Sequence, residues 1–178
     1  MDGIIKIQRN QDIERYWKLV FPFVEKAFKM FDESRVREGK NTEKDILDSL
    51  NVIKKAADLF EKHADELEKK IISQLKEKFS QVVGEDFDQS RILNETAVMI
   101  VKYSISEEIV RLRSHIENFR EIVKKGGPMG KKLDFVCQEM NREINTIGSK
   151  SIILEVNREV VEAKDGLERI REQLRNVE

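Results

Sequence analysis

The chain has 178 residues, of which 38% are charged and 39% hydrophobic, with 8 glycines and 2 prolines. This composition is typical of long helices with wide solvent-exposed faces, and the net charge of −1 excludes a globally basic surface for nucleic acid. The single cysteine excludes an internal disulfide and a multi-cysteine zinc site. Because the sequence has no signal peptide and no run of about 18 apolar residues, we expect a cytoplasmic protein with no membrane partner.

The N-terminal part of the chain predicts a helical arm. Apolar residues recur at helical spacing between residues 13 and 31. Pro22 lies inside this pattern and predicts a kink or a break just before it, since proline lacks the backbone N–H group. Gly39 interrupts the pattern again. Thr42 and Asp45 then resemble a capping box, which predicts the start of a new helix.

Two later stretches carry heptad patterns, in which apolar residues alternate at spacings of four and three. The first stretch has no Gly or Pro between residues 42 and 83, and it predicts a rod of about 60 Å that needs a partner helix. The first seam comprises Ile46, Leu50, Ile53, Ala57, Phe60, Ala64, Leu67 and Ile71. The second seam comprises Ile153, Val156, Val160, Ala163, Leu167, Ile170, Leu174 and Val177. The seams are expected to pair antiparallel within one chain or with other subunits.

Shorter helices are predicted between the two seams. Asp86 or Asp88 is expected to open the first of them. Ser104 and Glu107 form another capping box, which predicts a helix start close to residue 105. The glycine-rich segment 126–130 ends that helix.

The last short helix is predicted to follow the glycine-rich segment, within the stretch 133–150, and to stop at Gly148 and Ser149. No strand pattern is present in the sequence, so the predicted class is all-α: a long coiled-coil-like helical hairpin or rod plus a bundle of shorter helices. We expect two domains, a helical arm with the long heptad helix over 1–83 and a helical domain over 84–178.

The helix predicted over 133–150 has an unusual polar face. Its apolar stripe contains Leu133, Val136, Cys137, Met140, Ile144 and Ile147, so a small buried thiol is expected at Cys137. One polar row contains Asp134, Gln138, Asn141 and Asn145, and the next contains Glu139, Arg142, Glu143, Thr146 and Lys150. Asparagine is unfavourable inside helices because its side chain competes for backbone hydrogen bonds. Its regular placement therefore indicates that these amides hydrogen-bond a ligand.

Five sequence blocks occur together in one order along the chain. They are Arg35, Glu38 and Gly39; Asp88, Arg91, Glu95 and Ala97; Glu107, Glu108, Arg111, Leu112, Ser114 and His115; the run LDFVCQEMNREINTIGSK at 133–150; and the ending at 170–178. Together they resemble the YicC/YloC family of bacterial endoribonucleases, from about residue 3 to the last residue. Ser104 stands where that family usually has Asp, and Ile152 and Ile153 stand where it usually has Asn and Asp.

The resemblance carries several expectations. It covers the later three fifths of family members, which implies that an N-terminal domain with β structure is absent from this chain. It also implies cleavage of RNA phosphodiester bonds, dependence on Mn²⁺ or Mg²⁺, and a homo-oligomer that is often hexameric. No DNA specificity is expected. The alternative function is a non-catalytic helical module for oligomerisation or interaction, which the two heptad seams favour.

Candidate catalytic residues lie on one predicted helix face. Glu108, Arg111 and His115 are spaced at i, i+3 and i+7. Cleavage of RNA by transesterification needs a base for the 2′-hydroxyl, an acid for the leaving oxygen and a cation for the phosphate, and these residues supply those types. Arg142 is a further catalytic candidate. The alternative is a surface Glu–Arg pair with a neighbouring histidine; His63 has no such neighbours and is expected to be solvated.

Candidate metal ligands lie on the helix at 133–150. Glu139 and Glu143 are one turn apart, and Asp134 is one further turn away. Carboxylates at this spacing can share a hard divalent cation. The alternative is that Arg142 and Lys150 simply neutralise this face.

Candidate RNA-binding residues combine cations with amides. Lys131 and Lys132 follow the glycine-rich loop, where exposed backbone amides can hold phosphate. The other candidates are Arg91, Asn141, Asn145 and Lys150. The alternative for the lysines is that Lys124 and Lys125 satisfy a helix C-terminus while the later pair is merely solvated.

Overall fold

The computed structural model describes residues 13–82, 89–175 and 177, without the side chains of 79–82, 89–93 and 95. In these ranges the chain forms α1 (Ile13–Val82), α2 (Gln89–Tyr103), α3 (Ser106–Lys125), α4 (Gly130–Lys150) and α5 (Leu154–Leu174). No strand occurs in these ranges, so the all-α prediction is confirmed. The helix start expected at Asp86 or Asp88 lies outside the described residues.

Helix α1 runs without interruption for 70 residues. The break expected before Pro22 and the helix start expected at Thr42 are therefore wrong. A proline inside a helix removes one hydrogen bond and frees one carbonyl, which water can satisfy because this segment is exposed. A Cβ at Gly39 would meet nothing within 4 Å, so this glycine costs only its intrinsic helix propensity, about 1 kcal/mol.

The chain divides into two compact units, Met1–Asn41 and Thr42–Glu178. The helix over 42–82 thus belongs to the same unit as α4. The domain boundary expected between residues 83 and 84 lies outside the described residues, and that division stays a prediction. In the first unit, the described part of α1 exposes many large apolar side chains. They are Ile13, Tyr16, Trp17, Leu19, Val20, Phe21, Phe23, Phe28, Met30, Phe31 and Val36.

In the second unit, α1 packs antiparallel to α3. Arg113 of α3 donates to Asp58 and Glu61 of α1 at 2.7 Å each. One to two turns later along α3, Arg120 donates to Asn51 at 3.0 Å, which lies earlier along α1. Rising numbers on one helix therefore meet falling numbers on the other.

Helix α5 packs antiparallel to both α1 and α4. A Cβ at Gly166 would lie 3.3 Å from the carbonyl oxygen of Ser49, and a Cβ at Gly148 would lie 3.2 Å from Val160 Cγ1. Near the other end of α5, Arg171 lies 3.4 Å from Asp134 of α4. With α3 and α4 joined by a short loop, these contacts define an up-and-down bundle of four helices.

The core of this bundle contains both heptad seams. Seven of the eight residues in each seam are buried, and Ala64 and Val177 are partly buried against them. Helices α3 and α4 complete the core with Leu112, Phe119, Leu133, Met140 and Ile144, among others. Each fully buried large side chain contributes about 1.5–3 kcal/mol. The first seam is thus covered by its own chain, so it gives no reason for the rod to need a second subunit.

The observed ends of α3 and α4 agree only in part with the ends predicted from the sequence. Gly126 and Gly127 adopt φ of +67° and +81°, which explains why glycine ends α3 as predicted. At the α3 start, the Ser106 N–H group donates to Ser104 Oγ, so Ser104 does not form the expected capping box with Glu107. Helix α4 continues through Gly148 to Lys150, which contradicts the expected stop.

Candidate nucleic-acid interface

The fully exposed residues of α4 include no acidic one, although the Asp134 side chain, which pairs with Arg171, is 43% exposed. The exposed residues of α4 are Lys131, Lys132, Phe135, Gln138, Asn141, Arg142, Asn145 and Ser149. Three of these are basic and none is acidic. By contrast, α3 exposes three acidic residues (Glu107, Glu117 and Glu121) and three basic ones (Arg111, Lys124 and Lys125). We call the eight exposed residues of α4 the α4 outer face.

Most polar groups of the α4 outer face are free to meet a ligand. Within the described part of the chain, the side chains of Lys131, Lys132, Asn141, Arg142 and Asn145 have no hydrogen-bond or ion-pair partner. Gln138 and Ser149 are the exceptions, because the Gln138 amide donates to Asp134 Oδ2 at 2.8 Å and the Ser149 hydroxyl donates to the Thr146 carbonyl at 2.9 Å. The five unpaired side chains are all candidates from the sequence, and α4 brings them onto one surface.

Phe135 is a member of this face that the sequence analysis missed. It is 62% exposed, although α4 has a complete apolar stripe without it. The signal in the sequence was its position: Phe135 falls two residues after Leu133 and one before Val136, outside the repeating spacing of the stripe. A large aromatic residue placed off the stripe of an amphipathic helix points to solvent.

Glu108 has a different environment from the one expected. It is only 6% exposed, whereas the sequence analysis placed it on a solvent-facing catalytic surface. Lys150 Nζ donates to Glu108 Oε1 at 2.8 Å and to the Ser104 carbonyl at 2.9 Å. These contacts tie the C-terminal end of α4 to the segment between α2 and α3. Glu108 and Lys150, expected to serve catalysis and RNA binding, therefore form an internal ion pair.

The other catalytic candidates remain accessible. Arg111 is exposed and pairs with Glu107 one turn earlier. His115 is partly buried, and its ring has no hydrogen-bond partner among the described residues. Because α3 and α4 are antiparallel, His115, two turns beyond Glu108, lies at about the level of Glu143, two turns before Lys150. Among the described residues, Glu108 forms no hydrogen bond or ion pair with Arg111 or His115; its carboxylate pairs with Lys150 instead.

The three expected metal ligands do not form a cluster. In the described residues, no group of three or more His, Cys, Asp or Glu side chains is placed to hold a metal ion. Asp134 contacts Gln138 and Arg171 instead. Glu143 is only 5% exposed, contrary to its expected position on a polar face, and it has no polar partner in the described part of the chain. Glu139 and Glu143 are one turn apart on α4, and a cation shared by these two residues stays a prediction.

The remaining residues singled out in the sequence are Cys137 and Arg91. Cys137 is fully buried, and burial, with a smaller effect of the Asp134 charge, raises its pKa to about 12. The thiol is therefore neutral and unreactive. Arg91 lies in α2, but its side chain is outside the described part, so its expected RNA contact stays a prediction.

Comparisons with known proteins identify the family. The model of the C-terminal domain of YicC-like endoribonucleases matches residues 60–178, which include α3, α4 and α5. The chain belongs to the YicC-like endoribonuclease family. A probable endoribonuclease YicC from Clostridioides difficile is 36% identical over 178 residues, covering 98% of this chain and 61% of that relative. One from Haemophilus influenzae is 41% identical over 93 residues, covering 52% of this chain and 32% of that relative.

The chain thus spans about three fifths of the length of its C. difficile relative. The YicC-like match includes the whole α4 outer face and the Glu108–Lys150 pair. None of the helices in the described ranges combines the length and the apolar character that a membrane span requires.

Proposed function

We propose that this YicC-like chain binds RNA on the α4 outer face and cleaves its phosphodiester bonds. The observation that carries the proposal is the excess of free cations on α4: three exposed basic residues have no ion-pair partner among the described residues, whereas the partly exposed Asp134 is paired with Arg171. Cations without partners neutralise phosphates, and free amides hydrogen-bond to base edges or sugars. The α4 outer face carries both kinds of group and lies on a helix matched by the family model. It therefore fits RNA better than it fits a protein partner whose surface charge is balanced.

The proposed chemistry uses His115 and Arg142. His115 accepts the proton of the 2′-hydroxyl, and the protonated ring can return a proton to the leaving oxygen. Arg142 stabilises the charge that develops on the phosphate, with Arg111 as a second cation. Glu108 has no role in proton transfer in this proposal, because its carboxylate is held by Lys150.

We also propose that Glu139 and Glu143 bind a divalent cation, Mn²⁺ or Mg²⁺. Two features support this: the residues are one turn apart, and Glu143 is buried without a polar partner among the described side chains. Both metals accept carboxylate oxygens and keep several waters, so two protein ligands are sufficient. Titration with Mn²⁺, followed by calorimetry, should give a binding signal that Glu143→Gln abolishes and Glu159→Gln on α5 retains.

Cleavage of a labelled structured RNA tests the proposal directly. His115→Ala and Arg142→Ala should each lower the cleavage rate at least about tenfold, which is about 1.4 kcal/mol of lost transition-state stabilisation. The helical spectrum and melting of Arg142→Ala should stay near those of the parent, since exposed polar substitutions shift stability by about 0.5 kcal/mol or less. His115→Ala should remain folded by the same measurements, because the His115 ring has no hydrogen-bond partner among the described residues to lose. His63→Ala is the matched control on α1. A parent chain that leaves RNA intact with Mn²⁺ and with Mg²⁺ would contradict the proposal.

A second candidate function is assembly through the first unit. Its helix exposes eleven large apolar residues, from Ile13 to Val36, and exposed apolar surface of this extent marks interaction sites. We propose that this surface mediates homo-oligomerisation, with a hexamer as the family resemblance suggests. Light scattering should give a multiple of 20.9 kDa. Replacement of Trp17, Phe28 and Phe31 by Ser should reduce the mass to that of the monomer, whereas the same change at Val161 should not.

A further inference from the structure

We propose that Phe135 is a stacking platform for an unpaired RNA base. The inference rests on the proposed RNA binding and adds to it the form of RNA that the α4 outer face recognises. Phe135 is 62% exposed, and the buried core of α4 is complete without it. Folding therefore gives no account of this aromatic side chain.

The neighbours of Phe135 define what its ring can bind. Lys131 and Lys132 lie four and three residues before it, so both are on adjacent turns of the same surface. Arg142 lies seven residues after it, on the same line two turns later. The three cations have no carboxylate partner among the described residues. An apolar protein partner would leave these charges buried and unpaired, which costs free energy, whereas a polyanion would neutralise them.

Single-stranded RNA presents both groups that this surface can bind, the backbone phosphates and the flat faces of the bases. Proteins that bind single-stranded nucleic acid use cations along the backbone and aromatic rings on which bases stack. In a duplex the bases are already stacked on one another and present only their edges. The surface of a helix cannot enter the deep, narrow major groove of A-form RNA. Phe135 therefore favours an unpaired nucleotide, as in a loop, a bulge or a strand end.

The spacing of the face agrees with a short strand segment. From Lys131 to Asn145 the face extends over about 21 Å of helix, at 1.5 Å per residue. A base stacked on Phe135 would have Lys131 and Lys132 on one side for phosphate contacts. On the other side it would have the free amides of Asn141 and Asn145 for base edges or 2′-hydroxyl groups.

The test measures binding of a fluorescent single-stranded RNA and of the same sequence as a blunt duplex. Phe135→Leu keeps the apolar bulk and removes the ring, so its Kd for the single strand should rise about tenfold. Phe135→Trp keeps an aromatic surface and should bind like the parent. Val161→Ala, at an exposed apolar position on α5, is the control and should change nothing. None of the variants should change the Kd for the duplex.

A 2-aminopurine base in the strand gives a second measurement, since its fluorescence falls when it stacks. The parent and Phe135→Trp should quench it, and Phe135→Leu should not. If the parent binds RNA and Phe135→Leu binds and quenches equally, the stacking role is overturned while RNA binding stands. If the parent binds no RNA, the proposed function itself fails. A Phe135→Leu variant that changes the mass in light scattering but not RNA binding would assign this face to a protein contact and overturn the inference.

Discussion

Helices α4 and α5 have the same length, 21 residues each, and both bury a full apolar stripe in the bundle. Their exposed faces differ. Helix α5 exposes five acidic residues (Glu155, Glu162, Asp165, Glu168 and Glu172) and four basic ones (Arg158, Lys164, Arg169 and Arg171). Helix α4 exposes three basic residues, and its acidic residues outside the core, Asp134 and Glu139, are only partly exposed. In both helices the buried stripe consists of residues that pack in the core of the bundle. The solvent-facing residues are not needed for packing, so the contrast points to a ligand at α4.

The largest expected effect is on stability, and it comes from the different environments of two α4 cations, Lys150 and Arg142. Lys150 is half-buried and pairs with Glu108, unlike the exposed and unpaired Arg142. Lys150→Met should lower the free energy of unfolding by about 2 kcal/mol, because it leaves a buried carboxylate without its partner. Arg142→Met should change it by about 0.5 kcal/mol or less. Urea unfolding measures both, and equal stability of the two variants would contradict the assignment of Lys150 as an internal cation.

A second prediction sharpens the contrast between the two outer faces. For a single strand, the logarithm of the binding constant falls with the logarithm of salt concentration by about 0.7 for each phosphate contact. Lys131→Gln combined with Lys132→Gln should therefore make this slope shallower by about 1.4. Lys164→Gln combined with Arg169→Gln on α5 removes the same charge and should leave the slope unchanged. Equal effects of the two double variants would mean that net charge, and not the α4 outer face, governs binding.

The smallest effect concerns the buried side of α4. The raised pKa of Cys137, about 12 against an ordinary 9.0, means that the folded chain keeps a neutral thiol where the unfolded chain ionises. This contribution to stability is fully present below pH 9 and is lost as the pH rises towards 12. At pH 8 a thiol reagent should label Cys137 only after unfolding in urea. Rapid labelling of the native protein would show that this side of α4 is open to solvent.

Periodicity predicted the apolar half of the bundle well. Both heptad seams are buried, and the stripe of α4 is buried from Leu133 to Ile147. Local chemistry also predicted the end of α3, because Gly126 and Gly127 adopt positive φ. These features depend on interactions within a few residues, so the sequence alone is sufficient to predict them.

The candidate site was predicted less completely. Glu143 belongs to a polar row of α4, yet it is buried, and Glu108 is covered although its neighbour Glu107 is exposed. Burial of a polar residue at the border of a stripe depends on what packs beside it, which sequence spacing does not state. Phe135 differs from these two residues, because its spacing outside the apolar stripe indicates the solvent-facing position that it has, although its residue type suggests the core.

The sequence by itself determined the class of fold, the buried seams and the residue types that α4 can offer to a ligand. It did so because helical periodicity and glycine conformation act within a few residues. Only the tertiary structure decided that the two seams are buried in one chain, that α4 continues through Gly148, and that Lys150 turns towards Glu108. Gly148 stays helical where a Cβ would press on Val160, and Lys150 finds its partner 42 residues away. Contacts of this range arise when helices meet, so the pattern along a single helix does not contain them.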